Sequence, residues 1–296
     1  MAGERVRYQS DLEDSARWDG FPLRPGDIIV SSRSKTGTTW VQMICALLVF
    51  QTPDLPAPLT TLSPWLDMLL RPTDVVHRQL ASQPHRRFIK THTPLDGLPQ
   101  ESQVTYVVTG RDPRDMAISL HHQSANLDRE RIRTLLGQPA DATPRVIEKD
   151  DRALLLEWIN DDTPPSDGLD GLRGVLWHLG DAWSRRTEPN VLLVHYADLL
   201  DDLDAEMRRI ASVLRIEVDE GRWPALVGAA RFESMRGRAD ELVPDDRAEI
   251  LKDNREFFRS GRSGQWRTLL TDDEVAQYFE RISTMAPPDL IAWLHR

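Results

Sequence analysis

Cysteine is nearly absent: the chain has one, Cys45, in 296 residues, so no internal disulfide can brace it and its stability must come from a packed core. Cys45 stands in an apolar helical run and reads as a small core residue, which leaves redox chemistry without support. Long hydrophobic runs are also missing. The longest, Val41 to Phe50, is too short for a bilayer and is interrupted by Gln42, and the opening Met-Ala-Gly-Glu-Arg has no apolar segment like that of a secretory signal. No integral membrane segment is expected, and a cytoplasmic location is. Positive charge is short overall, with 37 Lys and Arg against 47 Asp and Glu and a net charge of −10. Affinity for a phosphate backbone needs a basic surface, so broad nucleic-acid binding is argued against and any anionic ligand must be held locally. The eight histidines show no metal-ligand spacing, and no metal is expected.

What is present is enough apolar residue, 40%, to bury one core, and a single domain over residues 1–296 is expected. Short apolar runs at Asp27 to Ser32, Arg87 to Lys90, Val104 to Thr109 and Val191 to His195 read as buried strands. Helical patterns run from Thr38 to Phe50, from Pro113 to about Asn126, around Leu172 to Arg186, from Asp201 to Leu214 and from Asp272 to Met285. Strands alternating with helices imply an α/β fold with a mostly parallel central sheet flanked by helices. Residues 127–170, rich in charge and closing on Thr163-Pro164-Pro165-Ser166-Asp167-Gly168, fit no strand pattern and read as short helices and loops forming a cover.

The cations gather in three segments: Arg33 with Lys35, Arg86 and Arg87 with Lys90, and Arg111 with Arg114. In the first, Ser34-Lys35-Thr36-Gly37-Thr38-Thr39-Trp40 stands where a strand gives way to a helix. Free N–H groups and the positive end of the helix dipole make an anion site there, strengthened by Lys35 and the threonine hydroxyls. A capped helix with a turn glycine would account for Gly37 and Thr38 alone, but for neither Lys35 nor Trp40. Arg111 and Ser119 lie about two helical turns apart, so one ligand touches both only by lying along the helix. His92, in Lys90-Thr91-His92-Thr93-Pro94, sits at a strand end, where open α/β sheets face their ligands, and titrates in the range of a general base.

Four ordered segments, Lys35 to Trp40, Lys90-Thr91-His92, Gly110 to Asp115 with Ser119, and Phe258-Arg259-Ser260-Gly261, closely resemble the signature segments of the cytosolic-type sulfotransferases. These use 3′-phosphoadenosine 5′-phosphosulfate (PAPS) as co-substrate. Arg17-Trp18-Asp19 and Ala286-Pro287-Pro288-Asp289-Leu290 resemble a bacterial branch that includes glycolipid sulfotransferases. The resemblance implies a P-loop-like strand, loop and helix in which Lys35, Thr36, Gly37, Thr38 and Thr39 hold the 5′-phosphosulfate. It implies that Trp40 and Tyr196 contact adenine, and that Arg111 and Ser119 bind the 3′-phosphate beneath Arg259, Ser260 and Gly261. It makes His92 the catalytic base, with Lys35 and Lys90 stabilising the transferring group. Ser260 stands where relatives often carry lysine, and Ala229-Ala230-Arg231-Phe232 lacks the threonine that precedes the matching phenylalanine, so Phe232 is left out of the site. The family's dimerisation motif is only partly recognisable around Arg267 to Glu274, which leaves a homodimer open.

The acceptor implied is a small-molecule or lipid hydroxyl (glycolipid, lipid or aromatic alcohol), with residues 127–170 over it. Trp65, Leu66, Met68, Leu69, Trp158, Trp177 and Trp183 are candidates for its pocket, although buried aromatics are more often plain core. Two rivals remain. A nucleotide-dependent kinase would place its loop lysine after the glycine and supply an acidic metal partner, and neither is found. A non-catalytic nucleotide-binding relative would have no need of His92 beside Lys35 and Lys90.

Overall fold

A computed structural model describes residues 5–139, 150–243 and 248–296. The part of the expected cover at 140–149 lies outside the described residues. Four parallel strands form the sheet: β1 (Ile28–Ser31), β2 (Phe88–Thr91), β3 (Thr105–Gly110) and β4 (Val191–His195), in the order β2-β1-β3-β4. β1 pairs with β2 from Ile28↔Phe88 to Ser31↔Thr91, and with β3 from Ile28↔Thr105 to Ser31↔Val108. β3 pairs with β4 from Tyr106↔Val191 to Gly110↔His195. The chain leaves β1 for β2 on one side and then crosses to β3 on the other, so the switch in strand order falls at β1, where open α/β sheets bind ligands.

The sheet is buried on both faces, which is why its strands read as unbroken apolar runs. Alternate residues serve opposite cores. Ile28 and Val30 join the helix Thr38–Phe50 with the helices Leu203–Leu214 and Trp223–Ala230, while Ile29 and Val108 join Leu172–Ser184, Asp272–Ser283 and Pro288–Leu294. The helix Thr38–Phe50 is buried from Thr38 to Leu48, and a helix apolar all round belongs inside.

Three strands begin one residue later than the pattern suggests: Asp27 and Arg87 are tied to each other, and Val104 closes the turn before β3, its N–H donating to Glu101 O at 3.1 Å. Arg87 Nε donates to Asp27 Oδ1 at 2.8 Å and its Nη2 pairs with Oδ2, a buried bidentate ion pair that joins the starts of β1 and β2. The helix expected from Asp201 to Leu214 starts two residues later, at Leu203, because Asp202 caps it by accepting from Ala205 N at 3.0 Å, and Asp201 ends a separate helix, Tyr196–Asp201. In 127–170, two helices appear among the described residues, Arg129–Leu135 and Asp151–Asn160.

Candidate active site

The carboxyl ends of all four strands open on one cavity of about 360 Å³. After β1 the backbone turns through Lys35 at φ +68° and Gly37 at φ +108°, a conformation that costs a non-glycine residue such as Lys35 about 1 kcal/mol or more. A Cβ on Gly37 would lie 3.1 Å from the Tyr196 ring. Gly37 has no side chain to cap the helix Thr38–Phe50, so the first N–H groups stay free for an anion. Lys35 Nζ reaches into the cavity, 3.3 Å from Gln123 Oε1 and 4.1 Å from the Phe257 ring centroid. Burial, then the charges of Arg111, Lys90 and Arg259, push its pKa down to about 7. Thr38, Thr39 and Trp40 line the same wall. Thr36 does not: its hydroxyl bonds Arg33 O and Thr109 Oγ1, both at 2.7 Å, so its side chain braces the loop from behind.

Arg111, directly after β3, meets Ser119 across the helix Pro113–Asn126, with Nη1 donating to Ser119 Oγ and to Lys35 O, each at 3.1 Å. The guanidinium lies 4.3 Å from the Tyr196 ring centroid, and its buried Nε has no hydrogen-bond partner among the described residues. Trp40 stands edge-on to Tyr196 at 5.3 Å and donates from Nε1 to Ala230 O at 2.8 Å. Arg259, Ser260 and Gly261 close this end. Their loop is held by Arg111 Nη2 on Arg262 O at 2.9 Å and by Asp115, which accepts from Gly264 N at 2.6 Å and Gln265 N at 2.9 Å. Gly261 has φ +59°, and a Cβ there would come within 2.6 Å of the Phe232 ring. Phe232, left out of the site on sequence grounds, lines the cavity.

At the other end, β2 presents Lys90 and His92. The segment Pro64 to Leu66 runs beside them, with Lys90 N donating to Pro64 O at 3.0 Å and Leu66 N to Lys90 O at 3.1 Å. This sets the Trp65 ring 3.6 Å from Lys90 Nζ and 4.4 Å from the His92 ring. Asp67 holds the turn by accepting from the hydroxyls of Thr91 and Thr93. Burial pushes Lys90 down to about 8. Burial, with Lys90 and Arg33 nearby, drives His92 well below the usual histidine range, so it is neutral at pH 7. A neutral ring beside the Ser32 carbonyl, which contacts Nδ1, carries its hydrogen on Nδ1 and leaves Nε2 basic.

Arg33, Arg86, Arg87 and Arg114 are engaged elsewhere. Arg86 and Arg87 bond Gly26 O and Asp27, Arg114 lies over Trp266 at 3.4 Å, and Arg33 holds His92 O at 2.7 Å. Of the seven acceptor-pocket candidates, Trp65 and Met68 line the cavity; Leu66 is core, Trp177 is half exposed and Trp183 packs on Trp293. Glu13, Gln123, Phe257 and Asp170 also line it. Nothing in their local sequence marks them, since they arrive from segments whose course only the folded chain fixes. Glu13 is pushed up to about 7 by burial, which outweighs the lowering effect of Arg33.

A parallel sheet with a phosphate-type loop at its switch point and cations massed over one cavity is built to hold an anionic ligand. A sulfotransferase domain model matches residues 25–287. The chain belongs to the sulfotransferase family, as its motifs imply, and its sulfuryl donor is PAPS. It is 43% identical to a glycolipid sulfotransferase of Mycobacterium bovis and to one of Mycobacterium tuberculosis, covering 99% of this chain and 94% of each relative. It is 25% identical to the luciferin sulfotransferase of Photinus pyralis, over 88% of this chain and 71% of that one. Among solved structures, a retinol dehydratase in complex with androsterone and the inactive cofactor PAP matches with a TM-score of 0.69 at 24% identity, covering 93% of this chain and 84% of that chain. A mouse sulfotransferase complexed with PAP matches with a TM-score of 0.65 at 19% identity, over 91% and 87%. No helix among the described residues is long and apolar enough to cross a membrane.

Proposed function

We propose that this sulfotransferase acts on a hydroxyl of a glycolipid, with His92 as base and the nucleotide held by the residues that its motifs single out. The observation that carries this reading is the pairing, in one cavity, of a neutral His92 with Lys35, Lys90 and Arg111. The 5′-phosphosulfate lies on the free N–H groups at Gly37, Thr38 and Thr39 and beside Lys35. Adenine packs against Trp40, Tyr196 and Phe232, and the 3′-phosphate is taken by Arg111, Ser119 and the loop Arg259 to Gly261. The side chain of Thr36 supports the loop and is not a ligand.

The acceptor oxygen attacks sulfur in line with the bridging oxygen of the phosphosulfate. An O–S bond forms, the S–O bond to the 5′-phosphate breaks, and His92 Nε2 takes the acceptor proton as PAP departs. Lys90 and Lys35 balance charge on the sulfuryl oxygens and on the leaving phosphate.

The 43% identity to proteins named glycolipid sulfotransferases supports the acceptor class. So does the apolar wall of Leu12, Met68, Leu127, Ile132 and Leu251, which suits a lipid chain. Leu127, Ile132 and Asp170 come from residues 127–170, which supports reading that segment as a cover over the acceptor within a single domain. The same reading puts the enzyme in the cytoplasm, and its net charge of −10 supports an acceptor other than nucleic acid.

Radiolabelled PAPS incubated with the lipid extract of the source organism should yield labelled lipid only with enzyme. PAP should raise the melting temperature more than adenosine 5′-monophosphate does, and Arg111→Ala should remove that preference. Equal stabilisation by both nucleotides in the wild type would sink the 3′-phosphate assignment, and labelled phenols without labelled lipid would sink the acceptor class.

A further inference from the structure

Two carboxylates reach the acceptor end of the cavity, Glu13 and Asp170, and one guanidinium holds both. Arg33 donates from Nη1 to Glu13 Oε2 at 3.3 Å and from Nη2 to Asp170 Oδ1 at 2.7 Å, and Nη1 also reaches the His92 carbonyl at 2.7 Å. Arg33 is 3% exposed and does not line the cavity, so it works as a fixed bracket between the base and the two acids. Glu13 is placed by an antiparallel bridge to Met68, and Asp170 by its own carbonyl, which accepts from Trp158 Nε1 at 2.8 Å. The second oxygens, Glu13 Oε1 and Asp170 Oδ2, have no hydrogen-bond partner among the described residues. Lys90, 6% exposed, aims its ammonium into the same end with the Trp65 ring beside it.

We infer that Glu13 and Asp170 read a polyol: they accept hydrogen bonds from hydroxyls that neighbour the one being sulfated, and so select a sugar headgroup over a lone alcohol or phenol. The inference rests on the glycolipid reading and assigns its specificity to two residues outside the family motifs. A simple alcohol has one O–H, which His92 takes, and it leaves the free oxygen of the largely buried Glu13 without a donor, while Asp170, half exposed, falls back on water. A sugar supplies further donors. Glu13 serves this role ionised or protonated, since a carboxyl group keeps acceptor capacity in either form. Sites built to bond a hydroxyl discriminate strongly against analogues that lack it.

The test compares octyl β-glucoside with 1-octanol, which share a tail and differ in the polyol, using radiolabelled PAPS and reading the ratio of the two kcat/KM values. The wild type should favour the glucoside about 100-fold or more. Glu13→Ala should lower that ratio about 10-fold and Asp170→Ala severalfold, since each removes the acceptor that Gln or Asn would keep, through KM for the glucoside, while the PAP-induced melting shift is retained. Asp170 is half exposed, so its variant folds even where the buried one does not. Transfer to the glucoside that ignores both substitutions overturns the inference and leaves the glycolipid reading standing. Transfer to octanol as fast as to the glucoside in the wild type overturns both.

Discussion

Lys35 is the residue through which pH should act on nucleotide binding. Its ammonium sits among Arg111, Lys90 and Arg259, and burial together with those charges brings its pKa to about 7. An anion binds the charged form, and its presence restores the proton, so affinity for PAP should fall as pH rises through that value. The sign follows because the free protein loses the proton that the complex keeps. With a pKa near 7, about one half of the free protein carries the ammonium at pH 7 and about one tenth at pH 8, so Kd should rise about 5-fold, or about 1 kcal/mol, over that interval. The phosphates of PAP, with second pKa values of about 6, hold their charge across it. Lys90, at about 8, is itself about half neutral by pH 8, but on the proposed reading it faces the sulfuryl group that PAP lacks, so the pH 7 to 8 slope for PAP is assigned to Lys35. Titration calorimetry in buffers of different ionisation enthalpy reads both Kd and the proton taken up. Lys35→Arg, which stays charged, should flatten the slope and abolish the uptake. A constant Kd from pH 7 to 8, or a slope that persists in Lys35→Arg, would refute the reasoning.

His92→Ala should keep near-normal affinity for PAP while kcat falls about 100-fold or more. Because His92 lies well below the ordinary histidine range, the acid limb of the wild-type kcat profile should fall below pH 6.5, and a limb at or above it would place the base elsewhere. Gly261→Ala drives a Cβ into the Phe232 ring at a φ that disfavours it; PAP affinity should drop with little loss of stability, and unchanged affinity would mean that the loop takes no part in binding. Asp27→Ala leaves Arg87 buried and unpaired, and urea unfolding should show a loss of about 3–5 kcal/mol.

The sheet and the loops that follow its strands were legible because each is a local pattern: an apolar run, a turn, then a helix start. Lys35 to Trp40 carries its own geometry in its glycine and its capless helix. The strand ends slipped by one residue where a charged side chain, Arg87, found a distant partner in Asp27. The acceptor end was much less legible. Trp65 and Trp177 look alike in sequence, yet backbone pairing with Lys90 brings the first to the cavity and helix position leaves the second half exposed. Glu13 and Asp170 meet only through Arg33, a cation whose segment suggested an anion site and whose side chain points the other way.

The buried pair of Arg87 and Asp27 stands at the opposite end of the sheet from the cavity, yet it lies on the same strand as Lys90 and next to the register that places His92. It joins Asp27 to Arg87 directly before the first paired residues, Ile28 and Phe88. A slip by one position would shift β2 about 3.3 Å along its neighbour and turn each of its side chains to the other face. His92 and Lys90 would then trade their place over Trp65 for one inside the packed layers. Catalytic alignment here is thus a matter of register, with the buried pair at the closed end of the sheet and the base at the open one.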